Sequence, residues 1–373
     1  MSTMGSHAMN ITDPSSIARN LRALFCLLTC LTVADSAIAG NQEPMFGAQP
    51  GFSFDCDNTP DRPCRKLAAQ AADKSIKIES SSAAWSERYG KVIVVSDNFN
   101  DLAEQDAGHY VIAYFGLEDD GGEIPVEPLL SREQVEEFRL YDLEGVALNE
   151  DRLYAIGSLA LHGRNPKRDR WERHQFLQMD LEEKAGRLHA VNLTHVVSRW
   201  PDFRDWLISK SGYEWTGEAI RGRAEGEGIN VEALSATSDG NLIIGFRGPL
   251  SADGGTLALE IELPPTADDE PVLVKEHVLP PVDFPQIPKG AEKTLRAITM
   301  VPGEPGQFYV VLGPKGYEKE ELVLARWNAK NGELTEATLL PKDFVAEGVT
   351  PIPGGKLLVV DDLKEMILVA TEK

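Results

Sequence analysis

"YDLEGVALNEDRLYAIGS", residues 141–158, runs through small and apolar residues, turns at Asn149–Asp151 and returns through a second apolar run. That pattern reads as a β-hairpin. Glu144 sits where its first strand begins. The phrase recurs as "INVEALSATSDGNLIIGFRG" (229–248), with Glu232 in the same place, and as "VAEGVTPIPGGKLLVVDD" (345–362), with Glu347. Two looser copies are "SSAAWSERYGKVIVVSD" (81–97) and "LRAITMVPGEPGQFYVVLG" (295–313), where Ser81 and Arg296 stand in for the acid.

After most copies two more strand-like runs follow, such as "HQFLQMDLE" and "GRLHAVNLTHV" after the second. Four antiparallel strands recurring about every 50–60 residues are the signature of β-propeller blades. The expected fold is therefore all-β: a single β-propeller of four-stranded blades over residues 76–373. Five blades are favoured; six follow if residues 199–227, read as a helical and loop insertion, hide a degenerate blade. The last copy reaches the end of the chain with only three strands. A strand of the N-terminal arm, around "KSIKIES", is expected to supply the fourth and close the ring, leaving no open edge.

In a propeller the first strand of each hairpin lines the axis and the second returns to the same face. Residues at the start of the first and the end of the second strand therefore share one mouth. This places Glu144, Glu232 and Glu347 in a ring with Asp97, Ser158, Arg247, Gly313 and Asp361, and with Arg296 in the fourth copy. Crowded carboxylates need protons, arginines or a cation. Three readings follow. In the first, Arg247 and Arg296 bridge the glutamates as a structural lock. In the second, the three glutamates hold a metal ion, with calcium the cofactor. In the third, the glutamates are catalytic acid/base groups and the arginines hold an anion. Lys315 in "LGPKG" and Arg164 in the basic loop "HGRNPKRDRWERH" (162–174) are further ligand-binding candidates at that mouth. No serine nucleophile elbow, HExxH, P-loop or dinucleotide fingerprint is present.

The chain has 373 residues, 37 basic against 59 acidic, and a formal charge of −22. So acidic a surface repels phosphate backbones and anionic lipid, which argues against nucleic acid or a membrane surface as partner. Arg19 and Arg22 precede the apolar run "ALFCLLTCLTVA", and "AIAG" supplies small residues for cleavage after Ala39: the layout of a signal peptide, residues 1–39. The run is too short for a membrane span. The expected location is periplasmic or secreted. Of four cysteines, Cys56 and Cys64 remain after cleavage, and in an oxidising compartment they form a disulfide on an N-terminal arm, residues 40–75.

Together "LEGVAL…LYAIGS", "VEALS…GNLIIGFRGPL" and "LRAITM…FYVVLGP" resemble DUF3616, a bacterial family of exported proteins of unknown function. More distantly, the acid–glycine hairpins are similar to the esterase-like and phytase-like β-propellers. The nearer resemblance implies a fold and no reaction; the more distant group includes phosphoester hydrolases, but this chain matches its hairpins without a full metal or catalytic set, and Ser81 stands where an acid is expected. The functional expectation is a propeller that binds a small anionic molecule or a protein loop at its charged mouth. The alternative is a metal-assisted hydrolase of a phosphoester, ester or lactone.

Overall fold

The computed structural model describes residues 52–54, 65–71, 74–96, 110–117, 124–161, 171–197, 203–210, 228–251, 253–264, 269–282, 293–314, 322–341, 344–361 and 365–370. Residues 1–39, read above as a signal peptide, and Cys56, Cys64, Asp97, Arg164 and Lys315 lie outside them.

The N-terminal arm contributes β1 (Ser53–Phe54), β2 (Arg65–Ala71) and β3 (Lys74–Lys77). The first hairpin is β4 (Ser80–Ser86) with β5 (Lys91–Ser96), followed by β6 (Ile112–Phe115) and β7 (Ile124–Pro128). Helix α1 (Arg132–Phe138) leads to β8 (Leu143–Asn149), β9 (Arg152–Gly157), β10 (Phe176–Lys184) and β11 (Arg187–His195). Helix α2 (Phe203–Lys210) precedes β12 (Asn230–Ala236), β13 (Leu242–Leu250), β14 (Thr256–Glu262) and β15 (Val272–Leu279). Then come β16 (Lys293–Met300), β17 (Gln307–Pro314), β18 (Val323–Asn328) and β19 (Leu334–Leu339). The chain closes with β20 (Ala346–Ile352), β21 (Lys356–Asp361) and β22 (Glu365–Ala370).

Three of these sets form separate four-stranded antiparallel sheets, ordered from the first strand outwards. The first and last sets are joined through β2 into one ten-stranded sheet, β20-β21-β22-β2-β7-β6-β5-β4, with β1 and β3 alongside. The first strands β4, β8, β12, β16 and β20 pack against one another in chain order, and β20 packs on β4. The arrangement is a β-propeller.

The N-terminal arm does complete the last sheet, but with a different strand from the expected one. Arg65 and Lys66 of β2 pair with Met366 and Glu365, while among the described residues β3, the "KSIK" segment, pairs with β2 alone. Only Ile78 and Glu79 separate β3 from the inner strand β4. Three extended steps cover about 10 Å, whereas the outermost strand of a blade lies three spacings, about 14 Å, from the innermost. The chain at β3 is already turning inwards. β2 also pairs in parallel with β7, so a single strand covers the outer edges of both the first and last sets.

Burial follows the ring. Among the described residues the buried apolar side chains form five clusters, each between two neighbouring sets of strands. Val94 of β5 packs with Val360 of β21, for example, and Phe308 of β17 with Ile243 of β13. The expected helix in the 199–227 insertion is α2, whose Phe203, Trp206 and Leu207 are fully buried against Phe176 in the cluster between the second and third sheets. Helix α1 was not expected, although "SREQ" carries its start signal. The Ser131 hydroxyl accepts from Gln134 N (3.2 Å) and the Gln134 side chain accepts from Ser131 N (2.8 Å), a capping box. No helix among the described residues is long and apolar enough to cross a membrane.

Candidate functional site

The recurrent acid position has a backbone cause. In every inner hairpin the pairing register slips at one place: between Ser80 and Ser82, Leu143 and Gly145, Val231 and Ala233, Leu295 and Ala297, and Ala346 and Gly348. The third hairpin slips once more, between Asn230 and Val231. The residues that the register skips are Ser81, Glu144, Glu232, Arg296 and Glu347 on the first strands, and Arg247 on the second strand of the third hairpin. A β-bulge inserts one residue, bends the strand and re-aims the side chain.

The residue after each bulge is small: Ser82, Gly145, Ala233, Ala297 and Gly348. Two of these positions show why. A Cβ on Gly145 would stand 2.7 Å from Leu234 Cβ on the next inner strand, and one on Gly348 would stand 2.9 Å from the Ala83 backbone nitrogen. Neighbouring inner strands touch at that level, so the bulge's charged side chains are gathered by close-packed backbone. Hydrogen bonds cross between sets as well. Trp85 N donates to Thr350 Oγ1 (2.8 Å), Val146 N to Ser82 Oγ (3.2 Å), Val231 N to Ser158 O (2.7 Å) and Leu295 N to Thr256 Oγ1 (3.2 Å).

Four of the expected residues form a continuous chain, buried except at Glu347, which is half-buried. Arg247 Nη1 lies 3.1 Å from Glu232 Oε1, and Arg296 Nη1 lies 3.2 Å from Glu232 Oε2 and 3.4 Å from Glu347 Oε1. Asn230 Nδ2 also donates to Glu232 Oε1 (2.8 Å), and Arg296 Nη2 to the Pro314 carbonyl (3.1 Å). Glu232, Arg247 and Arg296 are all at most 5% exposed. The chain spans the third, fourth and last hairpins. Both oxygens of Glu232 are engaged by cations or amide, so its buried charge is compensated at short range.

Glu144 occupies the equivalent bulge of the second hairpin and is also buried. The Arg173 guanidinium acts on it. Burial opposes the charge on Arg173, but Asp142 and Glu144 more than offset that and hold its pKa above the ordinary arginine value. Asp142 accepts from Arg173 Nε (2.6 Å) and from the Ser158 hydroxyl. Its backbone takes φ +58°, a left-handed conformation that aspartate tolerates better than most residues. Gly157 is needed beside it, because a Cβ there would come 2.3 Å from the Arg173 carbonyl oxygen. Asp361, at the end of β21, is fully buried.

Sequence reasoning missed Asp142, Asn230 and Arg173. Asp142 stands two residues ahead of its bulge and Asn230 two ahead of the next, a shared offset that could have pointed to both. Arg173 belongs to the basic loop already singled out; it is the end of that loop that reaches the site.

The metal reading of Glu144, Glu232 and Glu347 finds no support in this geometry. Among the described residues no three His, Cys, Asp or Glu side chains gather closely enough to hold a metal ion. Arg296 stands between Glu232 and Glu347, where a shared cation would have to sit.

No family model matches the chain, so the resemblance to DUF3616 is not matched, and no curated protein matches it either. Solved propellers do. A protein of unknown function from Bacteroides thetaiotaomicron is 13% identical with a TM-score of 0.40, covering 80% of this chain and 61% of its own. Pseudomonas fluorescens PhoX, solved with vanadate, a transition-state analogue, is 9% identical with a TM-score of 0.38, covering 83% and 75%. A family AA12 carbohydrate-active enzyme of Trichoderma reesei is 12% identical with a TM-score of 0.41, covering 82% and 98%. This chain therefore spans less than two thirds of the first of these. Likenesses so distant concern the fold alone, and nothing about the site is argued from them.

Proposed function

We propose that the chain is a five-bladed, exported β-propeller that binds a small anionic molecule or a protein loop at the mouth where the bulges lie. Five blades are supported by the bulge repeated in each inner hairpin and by the apolar clusters between successive sheets. The ten-stranded sheet is then two blades joined at their outer edges by β2. In this reading Arg247, Glu232, Arg296 and Glu347 are a clasp that pins three blades and makes the mouth rigid. Recognition is assigned to Arg164 and Lys315, which lie outside the described residues.

One observation favours binding over hydrolysis: both oxygens of Glu232 are held, by Asn230 and Arg247 on one side and Arg296 on the other. A carboxylate so occupied is poorly placed to take a substrate proton or bind a cation. The test is a panel of p-nitrophenyl phosphate, p-nitrophenyl acetate and a lactone, with and without added calcium, beside thermal shifts on inorganic phosphate and citrate. We expect no turnover, and a shift with at least one anion that is lost in Lys315→Met with Arg164→Met. Turnover that disappears in Glu232→Gln, with unchanged circular dichroism, would establish the hydrolase instead.

Export carries its own prediction. Protein recovered from an exporting host should begin at Gly40, and unreduced peptide mapping should join Cys56 to Cys64. A retained leader, or two free thiols, would remove that part of the proposal.

A further inference from the structure

The inner hairpins have a second end, where their turns lie, and a largely apolar wall with one acid and one base gathers there. A cavity of about 300 Å³ is lined by Trp85 and Glu87 of the first hairpin, Pro302 and Tyr309 of the fourth, and Pro351 and Lys356 of the last. Trp85 is near the finish of β4, whereas Ser81 and the mouth are at its start. The site is therefore separate from the charged clasp and does not rest on the reading given above.

Its wall is built in advance. The Trp85 indole N–H donates to Glu87 Oε2 at 2.9 Å, which orients the ring, and the Trp85 backbone N–H donates to Thr350 Oγ1 at 2.8 Å, which ties its strand to the last hairpin. Proline brings fixed φ angles and no N–H, so Pro302 and Pro351 add stiff apolar surface without unmet donors. Pre-formed apolar walls with a few placed polar groups are what small-molecule sites share, and this volume is at the lower end of their range.

Charge narrows the ligand class. A cation entering the cavity meets Lys356, and the Tyr309 face is already covered by Arg326, whose guanidinium carbon lies 5.8 Å from the ring centre. An anion meets Glu87 and the field of a molecule carrying −22. A neutral ligand with one apolar face and a hydroxyl-bearing edge suits both groups, since hydroxyls donate to carboxylate and accept from ammonium. We infer that this cavity is a saccharide site, in which a neutral hexose ring lays its C–H face on Trp85 and bridges Glu87 and Lys356 with its hydroxyls.

The experiment is isothermal titration of the purified chain with cellotetraose, maltotetraose and chitotetraose, with choline and a pentaproline peptide as rival classes. We expect at least one tetrasaccharide to bind, and Trp85→Ala to weaken it by about tenfold or more, the usual consequence of truncating an aromatic anchor. Trp85 also packs on its hairpin, so a second variant keeps the indole and changes only the exposed Glu87 and half-buried Lys356. The double substitution Glu87→Gln, Lys356→Met should weaken the same sugar several-fold with the melting temperature preserved. The inference fails if no tetrasaccharide binds at about 10 mM, if the double variant binds as wild type does, or if choline or the peptide binds in the sugars' place.

Discussion

Arg296 is the side chain on which the clasp turns, since it touches Glu232, Glu347 and the Pro314 carbonyl from a site 5% exposed. Removing one member of a buried ion network leaves the other charges uncompensated, at a cost of roughly 3–5 kcal/mol. Arg296→Ala should lower the urea-derived unfolding free energy by about that amount. Arg296→Lys should recover only part, because an ammonium cannot reproduce the fork geometry. A change below about 0.5 kcal/mol, the level of an ordinary surface substitution, would mean the clasp holds nothing. His277 gives a pH signature. Burial pushes its pKa below the ordinary histidine value, Lys275 adds to that, and Glu260, 3.1 Å away, opposes it. The unfolded chain then binds the proton first, so this stabilising contribution is intact above about pH 6.5 and shrinks as the pH falls below it. His195 is shifted the same way by burial. The stability gap between wild type and His277→Gln should narrow from pH 7 to pH 5; a gap that widens would reverse the sign.

Among the elements, β2 does what no other strand does, capping the outer edges of the first and last sheets at once. A sheet edge left bare is a template for pairing with another chain. A chain beginning at Lys74 should therefore melt at a lower temperature and elute from size exclusion as larger species. If it stays monomeric with an unchanged melting temperature, β2 is dispensable. The elements also show where reading from sequence succeeds. The inner hairpins were legible because alternation and turn residues are local signals, and the four-strand rhythm repeats. The choice between β2 and β3 was not, because nothing local in either segment marks which one meets the last sheet. What separates them is reach, a property of where the ends are held. The bulges were half legible: the acid and the small residue after it are visible in "EG" and "EA", but the slipped register exists only between paired strands.

For the whole molecule, each apolar cluster among the described residues is shared by two neighbouring sets of strands, so no set owns a core that it could keep alone. The inner strands are further tied set to set, from Trp85 on Thr350 round to Leu295 on Thr256. Unfolding should accordingly be one cooperative urea transition, with tryptophan fluorescence and far-ultraviolet circular dichroism superimposed. Separated transitions would show a ring that divides into independent parts.

The amino-acid order by itself determined the hairpins, their recurrence and the list of charged residues that open them, because strand alternation and turn chemistry act over a few neighbours. It also carried the pairing of opposite charges as one of three readings. Only the tertiary structure brings Arg247, Glu232, Arg296 and Glu347 within ion-pair distance of one another. Whether Glu232 meets a metal, a substrate or Arg296 depends on distances between residues far apart in the chain, and those are set by how closely neighbouring inner strands can pack.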